Sequence, residues 1–133
     1  MAQWVELVVR LLVATGLAAM IGYDREVRGK AAGIRTHVMI ALGAAAFTLA
    51  SVYGFADADG SRVASGVVAG VGFLGAGVIF RGGQGNVVAG LTTAASIWVT
   101  AGVGLAAGCG LYLLALAVAL LATIVLRLPH IRD

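Results

Sequence analysis

From Leu91 to Leu126 no charged residue interrupts the chain. A single helix of that length would extend about 54 Å at 1.5 Å per residue, well past a hydrocarbon core roughly 30 Å thick. The run must therefore cross a bilayer twice. Its break is expected at Ala107–Gly110, the AGCG segment. Three further apolar runs precede it: Trp4–Ile21, Thr36–Tyr53 and Val63–Phe80. The expected fold is an all-α membrane protein, a compact bundle of five glycine-rich transmembrane helices at about 4–21, 36–53, 63–80, 91–107 and 111–126. All of residues 1–133 then form one membrane domain, with the lipid bilayer as its first partner. A water-soluble domain of this length is excluded by composition. With 61% hydrophobic and 11% charged residues, too few polar groups remain to cover an apolar core.

The charges set a sidedness. Five spans place Arg25, Arg28, Lys30, Arg35, Arg81, Arg127 and Arg132 on one face of the membrane. The other face receives Arg62 with Asp57 and Asp59. Basic loops stay cytoplasmic, so the N-terminus is expected outside and the C-terminus in the cytoplasm. The first run does not read as a cleaved leader: Leu11–Ile21 could be an apolar core, but Glu6 precedes it and early basic charge is missing. Nor do the basic residues suggest nucleic-acid binding, since they lie between apolar runs without interleaved aromatics. Cys109 stands alone, which excludes an intrachain disulfide.

Twenty glycines would be costly in soluble helices, but in lipid small residues let helix backbones approach closely. Gly66 and Gly70 form GxxxG in the third span, with Gly77 on the same face; Gly72 and Ala76 repeat the spacing beside them, near Gly75. Span two offers Ala41/Ala45 and Ala46/Ala50, and span four Gly104/Gly108. Small residues on several sides suggest that the third span is central. The same stripes could pack one subunit or pair two into a homodimer.

The densest polar stretch runs from Gly22 to His37. Asp24 and Arg28 lie four apart, as do Glu26 and Lys30, so a helix continuing past the membrane surface would pair both acids with bases. One reading is a topology anchor. The other is a polar site at the cytoplasmic mouth, where Asp24 and Glu26 meet a cation or partner and Arg35 neutralises one of them. Asp24 and Glu26 are the only candidate metal ligands. Arg81 should lie on the same side, within reach of a salt bridge, and Thr36 opens span two. Thr92, Thr93, Ser96 and Thr100 set hydroxyls along span four, expected to bond back to their own helix rather than line an ion path. Glu6 and Arg10, four apart, should pair in the first span, and Gly82, Gly83 and Gly85 are at most a weak anion nest. HExxH and GxSxG motifs are absent, and His37 and His130 are the only imidazoles. The expectation is a protein without enzymatic activity or cofactor.

Three separated stretches, GYDREVRGKAAGIRTH (22–37), GVGFLGAGVIFRGG (70–83) and GLTTAASIWVTAGVGLAAGCGLY (90–112), resemble the MgtC/SapB family of bacterial inner-membrane proteins. The resemblance covers almost the whole chain. It implies a five-span membrane domain linked to growth at low magnesium and, in some bacteria, to survival in host cells. It also implies a regulatory role, in some members restraint of the proton-translocating ATP synthase. By motif, the signature positions are Gly22, Asp24, Arg25, Glu26, Arg28, Gly33, Arg35 and Thr36, then Gly72, Gly75, Gly77, Arg81 and Gly90–Ala95 with Trp98. Many members carry a soluble C-terminal domain that this sequence does not include. The expected function is regulation by contact with another membrane complex. The alternative is a small dimeric Mg²⁺ or proton transporter or channel.

Overall fold

The computed structural model describes residues 2–56, 59–82 and 90–128. They form five α-helices: α1 (Ala2–Val27), α2 (Ile34–Gly54), α3 (Gly60–Gly82), α4 (Leu91–Gly108) and α5 (Tyr112–Leu126). There is no strand among the described residues. The first four helices are long and apolar enough to cross a membrane, whereas α5 has 15 residues. It still runs the full depth of the bundle. Tyr112 at its start bonds Glu6 near the start of α1, and Arg127 just past its end bonds Asp24 near the end of α1.

The first helix is longer than the apolar run that predicts it. It passes Ile21 and continues to Val27, so half of the polar stretch is helical. It ends in a Schellman closure, with Lys30 N–H donating to the Arg25 carbonyl and Gly29 N–H to that of Glu26. Gly29 takes the left-handed conformation this needs, at φ 69°. The same closure ends α4: Leu111 N–H donates to Ala106, Gly110 N–H to Ala107, and Gly110 has φ 80°. That turn is the predicted break in the long uncharged run.

Packing corrects the expectation about the centre. The hub is α4, which touches all four other helices, while α3 touches only α2 and α4. The core between α1, α2, α4 and α5 is built largely of alanine: Ala14, Ala18, Ala41, Ala45, Ala106, Ala107, Ala115 and Ala119, with Ile21 and Val103. Such small side chains bring backbones together, and dispersion then replaces the hydrophobic drive that lipid cannot supply. Gly104 and Gly108 face Ala41 and Ala45; a Cβ on Gly104 would lie 2.7 Å from the Ala41 Cα. Gly75 meets Ala94. By contrast, a methyl group added at Gly66, Gly70, Gly72 or Gly77 would meet nothing within 4 Å, so these four glycines pack against no other described part of the chain.

Asp59 begins α3 as its N-cap, its Oδ1 accepting from the Ser61 amide (3.0 Å) and hydroxyl (2.7 Å). Those bonds hold its carboxyl below the usual carboxylate range. The stability it lends is therefore present above the unfolded-state value and lost as pH falls through the lower folded one. Asp59→Ala should lower the protection factor of the Ser61 amide (its exchange rate compared with the intrinsic rate at the same pH), and acidification of the parent protein through the lowered Asp59 value should do the same. Equal protection factors in variant and parent would show the cap to be idle.

Candidate functional site: a polar cluster at each end of the bundle

At one end of the bundle the C-terminal turns of α1 and α5 meet the N-terminal turns of α2 and α4. Asp24 is 1% exposed there, and its Oδ1 accepts from Arg127 Nε at 2.8 Å. Arg28, one turn on, brings its Nε to 3.5 Å from the same oxygen. The Asp24 Oδ2 is buried with no hydrogen-bond partner among the described residues. Neighbouring Arg25 is buried as well, a rarer state for arginine. Its guanidinium donates to the Ala31 carbonyl at 3.0 Å and to the Thr93 hydroxyl, joining the α1–α2 turn to α4.

The network continues inward. Ser96 Oγ lies 2.8 Å from the Thr93 carbonyl and 3.0 Å from Nε2 of His37, which is fully buried on α2. The Gly33 carbonyl, 3.0 Å from Nδ1, can only accept, so Nδ1 carries a proton. The single Ser96 hydroxyl proton then has two destinations. With a neutral imidazole it goes to Nε2; when it goes to Thr93 O, the ring must donate from both nitrogens. Protonation of His37 is in this way tied to the orientation of Ser96 at the α2–α4 contact. Thr100 bonds back to the Ser96 carbonyl at 2.7 Å, as Thr48 does to Ala44 at 2.8 Å, so these buried hydroxyls serve their own helices.

The opposite end carries a smaller cluster. Arg10 donates to Glu6 at 3.1 Å and to the Gly108 carbonyl at 2.9 Å, and Tyr112 donates to the same Glu6 oxygen at 2.8 Å. It clamps the start of α1 to the α4–α5 turn. The predicted Glu6–Arg10 pair thus sits in a three-helix contact. Cys109, in that turn, is exposed and free.

Several polar expectations need correction. Glu26 does not pair with Lys30, because α1 ends at Val27 and the chain reverses at Gly29; Glu26 Oε1 instead accepts from the Ile34 amide at 3.2 Å. Arg35 is exposed and neutralises neither acid, since Arg127 and Arg28 already hold Asp24. Thr36 is exposed, and Thr92 is half-buried away from the bonded set. No group of three His, Cys, Asp or Glu able to hold a metal occurs among the described residues. The Arg81 side chain, Gly83 and Gly85 of the weak anion nest, and His130 lie outside the described residues.

Two members of the site escaped the sequence reading. His37, Ala41 and Ala45 repeat every four residues, as do Ser96, Thr100, Gly104 and Gly108. These matched ladders were the available sign that His37 belongs to a buried face. Arg127 carried no such sign, because its partner lies 103 positions away.

Comparison with known proteins places these helices in one family. The MgtC family model matches residues 11–131. YhiD of Escherichia coli K12 is 47% identical, over 94% of this chain and 61% of its own length. MgtC of Salmonella typhimurium LT2 is 46% identical, over 90% of this chain and 52% of its own. SrpB of Synechococcus elongatus is 42% identical, over 86% and 69%. The chain thus spans between half and two-thirds of the length of YhiD and MgtC. No solved structure matches it significantly. The family match takes in most of α1 and all of α2 to α5, the whole Asp24 network among them: the chain is a multi-pass membrane protein that belongs to the MgtC family.

Proposed function

We propose that this protein is a regulator in the bacterial inner membrane, linked to magnesium limitation and ion homeostasis, that acts by lateral helix contact with another membrane complex. The observation that carries the reading is the uncovered surface of α3. Gly66, Gly70, Gly72 and Gly77 lie open on it, whereas the open face of α5 is lined by Leu113, Leu114, Leu121, Ile124 and Val125. Lipid packs well on branched side chains; a glycine face suits the close approach of another helix. The magnesium setting rests on the relatives, one of which is by name a candidate magnesium transporter. The ATP synthase membrane sector is the partner that the family resemblance implies, and a second copy of the chain is the simplest other one. In this reading the N-terminus is outside, the Asp24 cluster faces the cytoplasm, and no catalysis is performed.

Co-purification of the tagged full chain from native membranes of cells starved of magnesium tests this. A partner should be retained by the parent protein and lost from Gly66→Leu/Gly70→Leu, with unchanged helix content. Repeated absence of any partner, with and without magnesium, would count decisively against it.

One observation favours transport by a small dimer: Asp24 Oδ2 is a buried acceptor without a donor among the described residues. Flux of Mg²⁺ or protons into liposomes that is lost in Asp24→Asn would establish that reading. Silent liposomes remove it.

A further inference from the structure

Among the described residues, the end of the bundle that holds Asp24 also carries Arg25, Arg28, Lys30, Arg35 and Arg127 against Asp24 and Glu26. Two of these arginines are arranged in an unusual way. Arg28 and Arg127 both address Asp24 Oδ1 through Nε, so one buried carboxylate orients two guanidinium groups. Their side chains remain 43% and 61% exposed, and among the described residues the Nη atoms of neither have a partner. The result is a pair of partly exposed forks whose terminal N–H donors have no partner among the described residues. One shared carboxylate balances only one of the two charges.

Directly along the chain from these forks lies exposed apolar surface: Tyr23 and Val27 on α1, then Ile124, Val125 and Leu128 at the end of α5. A ligand that fits both halves has an anionic head and a hydrocarbon tail. Guanidinium forks match phosphate oxygens in geometry as well as charge. The short α5, about 22 Å long at 1.5 Å per residue, is less than the usual hydrocarbon thickness. It therefore draws Arg127 down towards the level of the lipid phosphates rather than leaving it in bulk water.

We propose that Arg28 and Arg127, held by Asp24, form a binding site for the phosphate of an anionic phospholipid, whose acyl chains lie along Val27 and the end of α5. The site is independent of the magnesium reading and of the partner at α3. A free phosphate shares the head-group chemistry but makes no use of the apolar shelf, which is why the lipid is the occupant.

The test is native mass spectrometry of the full chain in detergent, titrated with phosphatidylglycerol or with phosphatidylcholine of the same acyl chains. Preferential retention of phosphatidylglycerol is expected. Arg28→Gln leaves the Asp24–Arg127 bond in place, and Arg127→Lys keeps the charge beside Asp24 while removing the fork. Arg28→Gln should weaken phosphatidylglycerol retention roughly fivefold, the attraction of one surface cation for an anionic leaflet, and Arg127→Lys should weaken it as well, because an ammonium does not reproduce the two-pronged fit of the guanidinium to phosphate. Arg35→Gln, exposed and unpaired with Asp24, should leave it unchanged. Equal retention of the two lipids, or an Arg35→Gln loss matching that of Arg28→Gln, overturns the site. Displacement of phosphatidylglycerol by inorganic phosphate at equal concentration would overturn the lipid assignment in favour of free phosphate.

Discussion

Gly104→Ala should be among the most damaging single-methyl additions available in this protein. The new Cβ would lie 2.7 Å from the Ala41 Cα and 2.9 Å from its carbonyl carbon, both backbone atoms that cannot rotate aside. Helices α2 and α4 would have to separate, and α4 is the helix on which the other four are assembled. Overpacking of this kind costs about 1–3 kcal/mol, and a backbone-to-backbone clash belongs at the upper end. The thermal midpoint in detergent should fall on the order of 10 °C. Gly66→Ala and Gly70→Ala place the same methyl in open space on α3 and should leave that midpoint unchanged or slightly raised. The contrast is the informative part, because all three changes are chemically identical. If Gly104→Ala melts with the two α3 variants, the α2–α4 contact is not as close as described.

Arg25→Met is expected to cost about 3 kcal/mol, several times the cost of Arg28→Met. Arg25 is 4% exposed, and its guanidinium bonds the Ala31 carbonyl and the Thr93 hydroxyl at once. Removing the guanidinium strands two neutral buried acceptors, each at about 1–3 kcal/mol. Arg28 is 43% exposed and shares its acid with Arg127, so its loss should cost at most about 1 kcal/mol. Lysine at position 25 should not restore the parent stability, since a single ammonium cannot reproduce the planar fork between the α1–α2 turn and α4. Unfolding by increasing dodecyl sulfate in mixed micelles, followed by far-ultraviolet circular dichroism, separates the two arginines. Equal midpoints for Arg25→Met and Arg28→Met would show that burial of Arg25 does not stabilise the bundle.

Much of the helix inventory was legible because it depends on local chemistry. The uncharged stretch from Leu91 to Leu126 required a break, and Gly110 supplied the left-handed residue that makes it. Gly29 did the same for α1, although the apolar run ending at Ile21 concealed a further turn and a half of helix. Asp24 with Arg28, and Glu6 with Arg10, could be paired from their spacing alone. Glu26 with Lys30 had identical spacing and failed, since a glycine-terminated helix ends between them. Spacing predicts a pair only while the helix lasts.

What the sequence by itself determined is the solvent of this protein, the number of its helices and the positions of their turns. Each follows from hydrophobicity, length and backbone preference over a few neighbouring residues. The tertiary structure alone decided that α4 rather than α3 is the hub, that Gly104 and Gly108 are packed while Gly66 and Gly70 are bare, and that Arg127 closes on Asp24. Small residues every four positions make a helix face able to pack, but they do not name its partner. That choice depends on which helices come together, and contacts between residues a hundred positions apart leave no mark in local spacing.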